Sequence, residues 1–221
     1  ENYKLNKDII KVNLEELKIK ELIIENEKKK GQIQVIKIDS ENKEIKIQNV
    51  IFEIYNSKGE LVDTITTDED EKAVTKRLPI DESYTMKEIS APKEYVLNEE
   101  MRSIELEDEK ITDVVIENTR KYGKIKINKV SNKYSKILNL PENSPIANTK
   151  FLILNEKGEN VGIYTTDEAG TVVTEKLPYG EYTIYEYETP EHFLRDAKPQ
   201  TLQIIENNQI LEITFTNTPK E

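Results

Sequence analysis

An all-β protein made of tandem immunoglobulin-like sandwiches is the fold class the sequence predicts, on three observations. The 221-residue chain aligns with itself at an interval of more than 90 residues, so each copy is long enough to be a domain rather than one turn of a solenoid. Within a copy, short runs rich in Ile, Val, Thr and Tyr alternate with turn signals such as Ser57-Lys-Gly59 and Glu156-Lys-Gly158. No stretch carries a helical period.

The elements follow in order. Gly31-Gln-Ile-Gln-Val-Ile-Lys37 matches Gly123-Lys-Ile-Lys-Ile-Asn-Lys129, and Phe52-Glu-Ile-Tyr-Asn-Ser-Lys-Gly59 matches Phe151-Leu-Ile-Leu-Asn-Glu-Lys-Gly158. Thr66 to Thr75 answers Thr165 to Thr174, Tyr84-Thr-Met-Lys-Glu88 answers Tyr182-Thr-Ile-Tyr-Glu186, and Val115-Ile-Glu-Asn118-Thr answers Thr214-Phe-Thr-Asn217-Thr. In the first copy strands are expected near residues 32–39, 50–56, 61–66, 72–77, 83–90, 102–106 and 111–118, the seven of an immunoglobulin-like sandwich. The copies part between Lys129 and Phe151, where the interval is 22 residues against 15 from Lys37 to Phe52, giving a longer loop that contains Leu140-Pro-Glu-Asn-Ser144. Glu71 stands where the second copy has Gly170, and Asp81-Glu82-Ser83 replaces the turn at Gly180-Glu181, so different turns are expected there.

The start of the chain repeats the end of a copy. Asn26 stands 23 positions after Tyr3, as Asn118 does after Tyr95, and Leu5-Asn6 matches Leu97-Asn98. The expected domains are therefore 1–30, the C-terminal fragment of a preceding repeat plus linker; 31–120, the first complete copy; and 121–221, the second. The linkers Glu27 to Lys30 and Thr119 to Tyr122 are too short for free tumbling, which points to a semi-rigid array. Asn26 has upstream of it neither the first-strand lysine nor the inward glutamate of its own copy, so it is expected to stay unmodified, its strands mobile or paired with a neighbouring molecule.

Composition removes several function classes. Ile, Leu, Val and Phe supply 61 of 221 residues, enough to form a core. A net charge of −11 repels phosphate backbones and anionic lipid, so no nucleic acid and no membrane contact is expected from this segment. The absence of cysteine excludes disulfides, thiolate metal sites and cysteine nucleophiles. His192 alone cannot build an imidazole metal site and reads as a surface residue. The acidic run from Asp68 to Glu71 lacks the spacing of a calcium loop and reads as a solvated turn, so neither a metal nor any other cofactor is expected.

Polar residues fall where alternation calls for apolar ones. Residues two apart in a strand share a face, so Lys37 joins Ile33 and Val35, and Lys129 joins Ile125 and Ile127. Glu88 joins Tyr84 and Met86, Glu186 joins Tyr182 and Ile184, Asn118 joins Val114 and Ile116, and Asn217 joins Ile213 and Phe215. Taken singly, each can sit at a strand end, where lysine snorkels and asparagine caps a turn. Taken together, they form a reactive set. Burial disfavours the charged form of an amine and of an acid, so a neutral amine would meet a carboxamide beside a protonated carboxyl. The amine can then attack the side-chain carbonyl while the acid relays protons and ammonia leaves.

The Gly-x-Ile-x-Ile-x-Lys opening, the Tyr-x-x-x-Glu strand followed by Ala91-Pro92 and Tyr95, and the terminal Asn-Thr together resemble the CnaB-type, or SpaA-like, prealbumin-fold domains of Gram-positive surface proteins and pilins. The resemblance covers nearly the whole chain. It implies a spontaneous intramolecular isopeptide bond in each copy, joining Lys37 to Asn118 with the help of Glu88, and Lys129 to Asn217 with the help of Glu186. It implies a lock between first and last strands, and a structural stalk or spacer role in a cell-wall-anchored adhesin or pilus, extracellular, with anchor and signal outside this segment. The chain would be no enzyme beyond that single self-modification. Its partners would be neighbouring repeats of the same polypeptide, with a host matrix protein bound through other domains. The alternative is a ligand-binding adhesin region that uses the loop of residues 130–150, where Tyr134 is the aromatic available. Leu140-Pro-Glu-Asn-Ser144 shares two residues with a sortase signal, lacks its Thr-Gly, and reads as loop.

Overall fold

The structure, a computed structural model, describes residues 2–15, 19–70 and 72–221. The chain divides into two compact units, Glu1–Pro92 with Leu97–Asn118, and Lys93–Val96 with Thr119–Glu221. Regular structure among the described residues is all strand.

The first unit is a two-sheet sandwich. One sheet is built on β1 (Lys30–Asp39), which pairs antiparallel with β4 (Lys72–Val74) and β5 (Leu78–Pro79) and parallel with β8 (Ile111–Asn118). The other runs β3 (Leu61–Thr66), β2 (Ile51–Tyr55), β6 (Tyr84–Ser90), β7 (Arg102–Ile104). Alternation decides what is buried: along β1 every second residue from Gly31 to Asp39 faces inward, and Ile33 and Val35 are buried, as are Phe52, Ile54, Tyr84 and Met86 of the facing sheet.

The second unit repeats the plan. Its first sheet is built on β9 (Tyr122–Ser131), flanked by β12 (Thr171–Val173), by β13 (Leu177–Pro178) and, in parallel, by β17 (Gln209–Pro219), which also pairs with β15 (Phe193–Leu194). The facing sheet runs β11 (Asn160–Thr165), β10 (Lys150–Asn155), β14 (Gly180–Glu188), β16 (Gln200–Ile204). Ile125, Ile127, Phe151, Ile153, Ile184 and Phe215 form the centre of its core.

Each copy carries more strands than the seven expected. The run expected over 72–77 stops at Val74, and a separate two-residue strand follows at Leu78–Pro79. The cause is Thr75. Its hydroxyl, not its carbonyl, accepts the Ile33 N–H at 3.0 Å, and the freed carbonyl takes the Gln32 side-chain amide at 2.7 Å, so the ladder lapses there. Thr174 accepts the Ile125 N–H at 3.0 Å in the same way. The run expected over 102–106 ends at Ile104.

The glycine that opens each copy is required by close approach. A Cβ on Gly31 would lie 2.5 Å from the Glu107 carbonyl oxygen, and one on Gly123 would lie 2.8 Å from that of Gln209. Gly170 turns with φ at 68°; Glu71, its counterpart, lies outside the described residues, as does the expectation attached to it. At the other expected difference, β14 begins at Gly180, two residues ahead of Tyr182, whereas β6 begins at Tyr84 itself.

Candidate functional site

The parallel pairing of first and last strands sets the site. In the first unit the register places Lys37 opposite Ile116 and Asp39 opposite Asn118, so Lys37 and Asn118 are diagonal neighbours on the inward face. In the second, Lys129 lies opposite Phe215 and Ser131 opposite Asn217. The glutamates arrive from the facing sheet, on the inward side of β6 and β14. Each constellation therefore spans the two sheets of one sandwich.

Contacts are tight and similar in both units. Lys37 Nζ donates to Asn118 Oδ1 at 2.6 Å, and Asn118 Nδ2 donates to Glu88 Oε1 at 2.6 Å. Lys129 Nζ donates to Asn217 Oδ1 at 2.6 Å, and Asn217 Nδ2 donates to Glu186 Oε1 at 2.6 Å. Lys129 Nζ also donates to Glu186 Oε2 at 2.9 Å. Lys37 Nζ lies equally close to Glu88 Oε2, 2.9 Å, but off the hydrogen-bonding direction, and that buried oxygen has no aligned donor. All six side chains are buried, both lysines completely.

Burial acts directly on the amines. Desolvation holds Lys37 and Lys129 below the ordinary lysine value of 10.5, against the opposing pull of Glu88 and Glu186. The apolar wall differs between copies: the ring centre of Phe52 of β2 lies 5.9 Å from Lys37 Nζ, whereas that of Phe215 of β17 lies 6.0 Å from Lys129 Nζ and packs, tilted, 4.9 Å from that of Phe151. An amine with reduced proton affinity, a carboxamide and a carboxyl group thus share one dry site, which is the set of groups that transamidation uses.

Two contributors to the site escaped the sequence. Thr189 Oγ1 accepts a second hydrogen bond from Asn217 Nδ2 at 2.7 Å, where the first copy has Ala91. The backbone N–H of Asn98 donates to Glu88 Oε1 at 3.2 Å, and that of Asp196 donates to Glu186 Oε2 at 3.4 Å, so a loop from outside the sheets helps hold each acid. The Thr189-Pro190 pair could have drawn attention as a strand end; nothing local marks Asn98 or Asp196.

The remaining sequence candidates lie elsewhere. His192 is exposed, and its carbonyl accepts the Lys220 N–H at 2.9 Å. Asp68 Oδ1 accepts the N–H groups of Asp70 and Lys72 at 2.9 and 3.1 Å, closing a turn with its own backbone. The 130–150 loop is pinned by bridges between Val130 and Pro145 and between Ser135 and Leu140. Beside it an open cleft of about 570 Å³ is lined by Lys133, Tyr134, Lys136, Leu194 and Lys220, among others.

With fold and site in view, the comparisons are consistent. The SpaA prealbumin-like fold domain family matches residues 31–120 and again 123–219, and the chain belongs to that family. Among solved structures, the Bacillus anthracis TIE protein is similar over 98% of this chain at 30% identity, with a TM-score of 0.79; the match spans 40% of that protein's length. A C-terminal fragment of the pilus adhesin SpaC from Lactobacillus rhamnosus GG is similar in fold, at 13% identity and a TM-score of 0.55 over 86% of this chain and 98% of that one. A comparison with curated proteins found no match.

Proposed function

We propose that each module locks itself with an isopeptide bond, Lys37 to Asn118 and Lys129 to Asn217, and that the pair serves as a load-bearing spacer in a Gram-positive surface protein. The observation that carries this is the duplicated, fully buried contact of amine, carboxamide and carboxyl group across 2.6 to 2.9 Å. The neutral amine attacks the asparagine Cγ, the bond from Cγ to Nδ2 breaks, and the nitrogen departs as ammonia with a proton that leaves the lysine and passes through the glutamate. One amide replaces one amine and one carboxamide; nothing is oxidised or reduced.

Placement at the surface rests on family membership and on the pilus adhesin fragment that shares the fold. The mechanical role rests on topology. Because the linked residues close the first and last strands of a module, a pull entering through β1 leaves through Asn118 without loading the strands between. Substituting Glu88→Ala and Glu186→Ala tests the chemistry: each should shrink by about 17 Da the deficit between the measured mass and that calculated for the variant, the ammonia not expelled. A deficit still at about 34 Da in the double variant would show that another group moves the proton.

A further inference from the structure

Strands β3 and β11 end the same sheet of their two units, and among the described residues no further strand covers either edge. Thr67 N donates to Val50 O at 3.0 Å and Thr166 N to Thr149 O at 2.9 Å, which fixes the alternation along both. Asp63 and Ile65 therefore turn their backbone groups to β2, and Gly162 and Tyr164 turn theirs to β10. Thr64 and Thr66, like their equivalents Ile163 and Thr165, turn theirs outward.

An outward row of backbone groups accepts another strand unless something blocks it. In the first unit Asp63 blocks it. Its Oδ1 accepts the outward N–H of Thr64 at 3.0 Å and its Oδ2 accepts the Lys76 N–H at 2.8 Å, so a carboxylate occupies the edge donor. Side chains close other edges too: Arg102 donates to Val115 O of β8 at 3.0 Å, and Gln200 to Thr214 O of β17 at 3.2 Å. The equivalent of Asp63 is Gly162, which has no side chain to offer, and among the described residues no other side chain takes the Ile163 N–H.

The side chains beside this edge change in the same sense. Thr64, Glu53 and Lys87 lie in one row across β3, β2 and β6; the equivalent row across β11, β10 and β14 is Ile163, Leu152 and Tyr185. Ile163 is 48% exposed. From Asn160 to Thr165, β11 carries no charge and no proline, the composition of a segment that pairs with its own kind.

We propose that the edge of β11 is a docking site for a second copy of this chain, joined antiparallel about a twofold axis, with Ile163 of each copy opposite Thr165 of the other. In that register both residues donate and accept across the axis. It stays clear of Val161, where the ladder with β10 shifts register. No charge lies in the paired stretch, so the net charge of −11 opposes the pair only at longer range, where salt screens it. One strand pair buries well under the roughly 1,600 Å² of a standard interface, so the dimer forms and parts with concentration. The docking site is separate from the proposed lock, whose groups lie inside the sandwich.

Sedimentation velocity of the 221-residue chain, followed from micromolar to millimolar concentration, should show a monomer–dimer equilibrium that tightens as salt is raised. Amide exchange at Ile163 and Thr165 should slow as the dimer forms. Gly162→Asp, which restores the carboxylate of the first unit, should weaken the dimer about tenfold or more. A Cβ there would lie 2.9 Å from the Tyr164 ring, so Ile163→Lys, at an exposed side chain, serves as the second variant and should weaken the dimer likewise. Circular dichroism checks that both variants keep the fold. A chain that stays monomeric at millimolar concentration, or a dimer indifferent to both substitutions, would overturn the proposal. A dimer weakened by Tyr185→Lys but not by Gly162→Asp would place the contact on the face of the sheet and overturn the edge pairing.

Discussion

Lys37 and Lys129 carry a cost that an ordinary core would avoid. A buried charge must be paired or shed, and desolvation here depresses both amines. The direction of that shift has a measurable consequence when the link cannot form. In the double variant Asn118→Ala, Asn217→Ala, the folded state holds fewer protons than the unfolded one between the lowered lysine pKa and the unfolded value of 10.5, so stability rises with pH across that window. Melting followed from pH 7 to pH 9.5 should show the rise; it should stop short of about pH 10, because Tyr84 and Tyr182, pushed up to about 12 by burial, begin to oppose it. A flat profile would mean that the lysines stay charged when buried. Thr189 makes a second prediction at this scale. It holds the carboxamide nitrogen that must leave, so Thr189→Ala should slow closure of the second module about threefold to tenfold, the value of one hydrogen bond, while Thr189→Ser should not. Mass spectra taken during cell-free synthesis would read this rate, since the finished chain would be closed in either case.

At the scale of strands, the period-two pattern exposed the lysine, glutamate and asparagine as inward residues, because an inward polar residue breaks an alternation that every neighbour keeps. It did not expose what pairs with what. The parallel contact of β1 with β8 joins residues 81 apart, and that of β9 with β17 joins residues 88 apart. No local signal encodes such a contact, so the resemblance supplied it. The two-residue strand at Leu78–Pro79 was equally hidden, since a proline reads as an end and the ladder restarts only after the Thr75 hydroxyl has replaced a carbonyl. Loop contacts such as Thr189 to Asn217 depend on how the chain turns back after β14, and a strand pattern is silent on that. The parallel pairing predicts a mechanical result. Pulled from its ends, a locked first module should release none of the chain between Lys37 and Asn118, which stand 81 residues apart, whereas its Glu88→Ala variant should release a step of about 280 Å. Equal steps from both would remove the load-bearing role.

For the molecule as a whole, the proposed lock would replace what composition denies. With no cysteine, this chain has no disulfide to restrain its unfolded state, and closing 81 or 88 residues by another covalent bond would contribute about 4 to 5 kcal/mol per module by the same entropy argument. The modules differ in their aromatic wall, in Thr189 and in the length of the 130–150 loop, yet keep the same three groups at the same separations. That constancy makes the central claim a matter of weight. The intact mass of the purified 221-residue chain should lie about 34 Da below the value calculated from its sequence, one ammonia for each module. A mass equal to the calculated one would contradict the account.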